Sequence, residues 1–462
     1  MKKIGRLKTY SSDEIENSYV SIGFECLDRD LFNPEKCYDL LQKSGVKFAR
    51  CQTGWAKCEK EKGVYDFGWL DSIVNNLLKR GIKPWFNVGF GNPVYMSDVP
   101  NETGVGCVPL FYGDETLEAW KKYVYALTQR FKSRVEYFEI WNEPNLAHFW
   151  HPKEPRGADY ARLVEITSGI IRSAYENAKI IFNTSQADCF AFLRDFLANV
   201  KKDSVDIYAF HMYTGIPEFR YAKCVEQLRK MLDENGFENV ELWQGEGGYP
   251  SWAYDGHWLI KDGKTSERAQ AVWQIRRYFL DVFNGIKRSS FFQMADMWEK
   301  PYAKAFEVIN KPAAHGILNG ITYTPKKSYN TITNLATIFS GDIKPASHYI
   351  CVDIDSPSEL ELLSCLSMTY DKNGTPVYAY YLPVEVRRNA QITRKAEIYI
   401  LDRIKEPVLI DPYTAEIFEI EGFETNQGLT KYRALPICDY PLMIAEKAAF
   451  AIEKQTPKEL EV

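Results

Sequence analysis

Val135-Glu136-Tyr137-Phe138-Glu139-Ile140-Trp141-Asn142-Glu143-Pro144-Asn145 reads as a mostly apolar strand that ends in a polar turn. Such a run, stopped by proline, is typical of strands covered on both faces. A helical apolar repeat over residues 115–131 precedes it, and another over 159–178 follows. Strand and helix in alternation predict a parallel sheet. Outward from this stretch, the same alternation runs from about residue 19 to 340. Strands are expected at 19–25, 46–52, 83–90, 135–142, 179–183, 205–211, 240–246 and 290–294. Punctuation marks the helices between them. Asn33 suits an N-cap before Pro34 and Gly45 a stop, while Gly81 ends a helix over 69–80. Eight βα units predict a closed (β/α)8 TIM barrel in the α/β class. The rival is an open doubly wound sheet, but no Gly-x-Gly-x-x-Gly follows the first strand, which counts against a dinucleotide fold.

After residue 340 the texture changes to short alternating runs at 349–354, 377–381, 396–401, 407–410, 417–420 and 442–445. Turn residues such as Asp371-Lys372-Asn373-Gly374 separate them. This pattern predicts a C-terminal antiparallel β-sandwich. The expected division is a barrel over 15–340 and a sandwich over 341–455, with residues 1–14 available to join the sandwich.

Composition narrows the function classes. The 462 residues are 45% hydrophobic and 26% charged, with a net charge of −5. That is a globular balance, and it offers no basic patch for nucleic acid. The ten cysteines form no Cys-x-x-Cys pair, so neither a zinc ribbon nor a redox couple is expected. His148 and His151 have no evident third ligand, so no metal site is expected either. The N-terminal residues lack the apolar core of a signal peptide, and no apolar run is long enough to span a membrane. A cytoplasmic location without a membrane partner is the expectation. The sequence leaves a homo-oligomer open.

In a (β/α)8 barrel the chemistry gathers at the C-terminal ends of the strands. The fourth strand ends in Asn142-Glu143-Pro144 and the seventh in Gly245-Glu246-Gly247. Three βα units separate the two glutamates, so both can project into one cleft. Paired carboxylates are what glycosidic cleavage needs, one to protonate the leaving oxygen and one to attack the anomeric carbon. Glu143 is expected as acid/base and Glu246 as nucleophile. Asn142 is placed to bond a sugar 2-hydroxyl, and Arg50, near the end of the second strand, to hold the nucleophile ionised. His211 and Tyr213 end the sixth strand, with Tyr213 placed to donate to Glu246. Trp298 is expected as a floor under a sugar ring, and Glu299 beside it as a substrate contact. Trp55, Trp150, Trp252 and Trp258 are looser candidates for the cleft wall. Glu139, inside the fourth strand, reads as a structural partner for a buried cation such as Arg50. Glu25 ends the first strand at the cleft.

Trp141-Asn142-Glu143-Pro144-Asn145 resembles the acid/base motif of clan A glycoside hydrolases, and Gly245-Glu246-Gly247 resembles that clan's nucleophile motif. The stretch from about 15 to 340 is most similar to family 39, which holds β-xylosidases and α-L-iduronidases. The resemblance implies a retaining double displacement, no cofactor, a glycoside or oligosaccharide substrate, a β-sandwich after the barrel and a non-prolyl cis peptide after Trp298. A β-xylosidase-like specificity follows from the same likeness. Two alternatives stand beside it: a transglycosidase using the same residues, and a non-catalytic carbohydrate-binding barrel.

Overall fold

The computed structural model describes residues 1–297, 313–354, 365–387 and 392–454. Eight parallel strands close into a barrel. In order they are β2 (Val20–Gly23), β3 (Phe48–Gln52), β4 (Lys83–Val88), β5 (Tyr137–Ile140), β6 (Lys179–Ser185), β7 (Ile207–His211), β8 (Glu241–Gly247) and β9 (Arg288–Phe291). The strand β1 (Lys2–Leu7) precedes them. Helices follow the strands and cover the barrel from outside, among them Gly68–Lys79, Asp114–Phe131, Gly157–Ala174 and Glu267–Phe283. Ser266 caps the last of these by accepting from the Ala269 N–H, which satisfies a donor that the first helical turn leaves free. Around Asn33 the chain first forms a short 3-10 turn, Pro34–Lys36, and then the helix Tyr38–Lys43.

The barrel interior is layered. Trp85 and Trp243 meet edge to face at 5.1 Å and plug the N-terminal end together with Ile181, Ile207 and Ala209. Such a pair buries much apolar area in a favoured aromatic geometry. Above them Arg50 lies fully buried with its guanidinium 5.8 Å from the Trp85 ring. The barrel is therefore a filled core, and its polar layer begins at Arg50 and continues to the open C-terminal mouth.

Two antiparallel sheets follow the barrel and form the sandwich. The larger runs β10-β12-β13-β19-β15-β16-β1-β20, with β10 Ile343–Pro345, β12 Leu366–Lys372, β13 Thr375–Tyr381, β15 Pro407–Ile410, β16 Glu416–Glu419, β19 Leu442–Glu446 and β20 Ile452–Glu453. The smaller runs β11-β14-β18-β17, with β11 Ile350–Ile354, β14 Thr393–Ile400, β17 Glu424–Asn426 and β18 Leu429–Cys438. The N-terminal strand β1 joins the larger sheet between β16 and β20. Among the described residues no helix is long and apolar enough to cross a membrane.

Candidate active site

The turn after β5 is built to hold an unusual backbone. Trp141 and Glu143 take φ values of +67° and +45°, a region that side chains other than glycine rarely adopt. Two neighbouring strands support that conformation. Asn87 of β4 donates to the Trp141 carbonyl, and Asn183 of β6 donates to the same carbonyl at 2.8 Å. The Asn183 side-chain oxygen accepts the Glu143 N–H at 2.7 Å. The Glu143 carboxylate is thereby turned toward His211 at the end of β7, whose Nδ1 lies 3.0 Å from Glu143 Oε1.

Glycine serves the turn of β8 for a different reason. A Cβ on Gly245 would meet the Ala209 Cβ at 2.9 Å and the His211 ring at 3.2 Å, so only glycine lets β7 and β8 approach here. The register of β8 shifts against both neighbours over this stretch, the mark of a bulge, and bulges re-aim side chains. Tyr213 donates to Glu246 Oε1 at 2.6 Å and Arg50 Nη1 to Glu246 Oε2 at 2.8 Å. Both oxygens of Glu246 are thus held in place.

Arg50 organises the floor. Its Nε and Nη2 donate to the Glu139 carboxylate at 2.6 and 3.0 Å, and Nη2 also to Asn142 Oδ1 at 2.8 Å. Its Nη1 is shared between Glu246 and Glu25, the latter also at 2.8 Å. All five guanidinium N–H groups are therefore used. Burial pushes the Glu25 carboxyl up to about 8; Arg50 opposes this, and the nearby Glu246 charge adds to it. Burial works against a charge on His211, but Glu246, Glu139 and Glu143 outweigh it and raise the imidazole to about 10. Burial would likewise raise Glu143, yet its hydrogen bond from His211 holds it below the ordinary carboxylate value. The proton of this pair therefore rests on the imidazole.

One oxygen of Glu143, one oxygen of Glu246 and a ring nitrogen of His211 lie within 4.8 Å of one another. A guanidinium 2.8 Å from Glu246 and a protonated imidazole make the grouping a poor cation site. Two carboxylates this close, one paired with an imidazolium and one with a guanidinium, are instead equipped for proton transfer and nucleophilic attack.

The family model described as glycosyl hydrolases family 39 matches residues 35–253. A family 39 glycoside hydrolase from the gut symbiont Bacteroides cellulosilyticus WH2 superposes with a TM-score of 0.68 at 17% identity, over 96% of this chain and 83% of that one. Over those residues this chain is similar to family 39 glycosyl hydrolases, and it shares their fold. A family 39 β-xylosidase from Caulobacter crescentus has a TM-score of 0.58, also at 17% identity, over 96% of this chain and 98% of that one. A curated β-xylosidase from Geobacillus stearothermophilus is 27% identical over 169 residues. That match spans 33% of this chain and 32% of the relative, so about a third of each is compared.

In this barrel the structure brings Asn142, Glu143, Arg50, His211, Tyr213 and Glu246 into one cluster. Trp298 and Glu299, with the cis peptide expected after Trp298, lie outside the described residues; non-prolyl cis peptides occur at Gly89–Phe90 and Phe292–Gln293. Trp55 and Trp150 are fully buried. Trp55 stacks on Tyr95 and Tyr123, which makes it core rather than cleft wall. Trp258 is 57% exposed and meets Tyr213 edge to face at 5.2 Å, and so stands at the mouth. Sequence reading missed the supporting amides Asn87 and Asn183. Polar residues in the upper half of otherwise apolar barrel strands were the available signal.

Proposed function

We propose that the chain is a retaining glycoside hydrolase in which Glu246 attacks the anomeric carbon and Glu143 serves as acid and then base. The observation that supports this best is the approach of the two carboxylates within 4.8 Å. Double displacement places such groups about 5–5.5 Å apart, whereas inversion needs about 6.5–9.5 Å to admit a water. In the first step the C–O bond to the leaving group breaks as Glu246 forms a glycosyl ester. The departing oxygen takes a proton from Glu143, which draws on His211 along their 3.0 Å hydrogen bond. In the second step water attacks the anomeric carbon, Glu143 accepts its proton, and Glu246 is released. Tyr213 and Arg50 keep the attacking carboxylate aimed, and Asn142, steadied by Arg50, faces the sugar 2-hydroxyl. The barrel over 15–340 is the unit proposed to carry this chemistry, with 341–455 and the N-terminal strand as its companion.

The named relatives favour a β-linked glycoside, with a β-xyloside first among the substrates to try. In the test, Glu246→Ala should lower hydrolysis of a nitrophenyl β-glycoside roughly a thousandfold or more. Azide, small enough to enter the vacated space, should partly restore it. Proton NMR of the wild-type reaction should show the released sugar first in its original anomeric form. Normal turnover by the variant, or an inverted first product, would end this assignment.

A further inference from the structure

Several buried polar atoms beside the catalytic cluster have no partner among the described residues: Glu25 Oε1, both amide atoms of Gln293 and both ring nitrogens of His315. Folded proteins rarely leave such groups unsatisfied, because each has given up water for nothing. Glu25 and Gln293 are neighbours across Gly23 of β2: a Cβ there would lie 2.8 Å from Glu25 Oε1 and 3.3 Å from the Gln293 Cβ. Backbone bonds hold Gln293 beside His315, since the Gln293 N–H donates to the His315 carbonyl at 3.3 Å and the Ile317 N–H to the Gln293 carbonyl at 2.9 Å. The His315 ring packs at 6.2 Å against Tyr213, the residue that bonds the nucleophile, and stacks at 6.1 Å with the exposed Trp258. Burial lowers His315 to about 3, so the imidazole is neutral and offers one N–H and one lone pair.

Resting on the glycosidase reading, we propose that Gln293 and His315, with Glu25, form a wall that reads the hydroxyl groups of a neutral glycone. Unspent donors and acceptors at fixed positions suit hydroxyls, each of which both gives and takes a hydrogen bond. The charge pattern argues against a uronic acid in the same place. Arg50 has spent its five N–H groups on Glu25, Glu139, Glu246 and Asn142. His211 is committed to Glu143. Among the described residues a substrate carboxylate would meet four glutamates and no available cation.

The experiment compares wild type, Gln293→Leu and His315→Phe on nitrophenyl β-xyloside, β-galactoside, β-glucuronide and the monodeoxy forms of the better neutral substrate. Each variant should lose about 10- to 100-fold in kcat/KM on the parent glycoside. For at least one deoxy glycoside, wild type and variant should agree within about twofold, because the bond is already missing. Equal losses on every glycoside would mean a merely structural role and overturn the proposal, as would no loss on the parent. Faster turnover of the glucuronide than of both neutral glycosides would overturn the neutral glycone. If a variant fails to fold, Gln293→Glu and His315→Gln keep part of the bonding and take its place. If wild type hydrolyses none of these glycosides, the glycosidase reading fails instead. Calorimetric binding of xylose, galactose and their deoxy forms then decides the wall on its own, and affinity indifferent to the missing hydroxyl would overturn it.

Discussion

Glu25 shows how one side chain can make a site sensitive to pH. It is 1% exposed, accepts from Arg50 and faces the Glu246 charge across that shared guanidinium. Burial raises it from the ordinary carboxylate range to about 8, so the folded protein holds this proton more tightly than the unfolded chain does. The stability that goes with that proton is fully present below about pH 4.5 and is lost as pH rises through about 8. Glu25→Gln carries no titrating proton and still accepts from Arg50. Its urea midpoint should climb relative to wild type between about pH 4.5 and 8, at up to about 1.4 kcal/mol per pH unit. Parallel stability curves from pH 5 to 9 would show that Glu25 is not held protonated. From sequence alone Glu25 was legible as a strand end at the cleft, but not as a buried acid. Its burial depends on Arg50, and pairing across a barrel leaves no local signal.

At the scale of elements, the strands of the barrel were legible because apolar runs and glycine stops are local features. Their ends were not. The strand expected over 290–294 closes as Arg288–Phe291. The one expected over 135–142 pairs only through Tyr137–Ile140, because the left-handed residues that aim Glu143 cannot continue a ladder. The turn of β8 has the same character. Gly245 was read as part of a motif, yet its physical reason is the His211 ring 3.2 Å from where its Cβ would stand. Gly245→Ala should cost about 1–3 kcal/mol through overpacking. It should also push His211 away from Glu143 and lower kcat by about tenfold or more, with KM changed less. Steady-state kinetics beside a thermal melt would separate the two effects, and an unchanged kcat would mean that the close approach of β7 and β8 has no part in catalysis.

Across the whole molecule, the helix Glu267–Phe283 joins barrel to sandwich, and what the sequence does not show is its burial. Its residues 268–282 are all buried, including Arg268, Arg276, Arg277 and Asp281. Read alone, those charges mark a solvent face; in the structure the sandwich lies against Arg268 and Arg276, while Arg277 and Asp281 bond barrel residues. Arg276 donates to the Val384 carbonyl at 2.8 Å, the Tyr370 hydroxyl to the Phe279 carbonyl at 2.8 Å, and Arg268 to Asp439 Oδ1 at 2.7 Å. Buried pairs of this kind are costly to break, because both groups have given up water for each other. Asp439→Ala should therefore destabilise the protein by about 3–5 kcal/mol, although Asp439 lies far along the chain from the catalytic strands. All 11 tryptophans precede residue 300, so tryptophan fluorescence reports on the barrel and not on the sheets that carry Asp439. If barrel and sandwich unfold as one, the fluorescence midpoint in urea should fall with Asp439→Ala and coincide with the loss of β-sheet circular dichroism. A fluorescence transition left in place while the sheet signal shifts would show that the two units unfold separately and that the buried pair does not couple them.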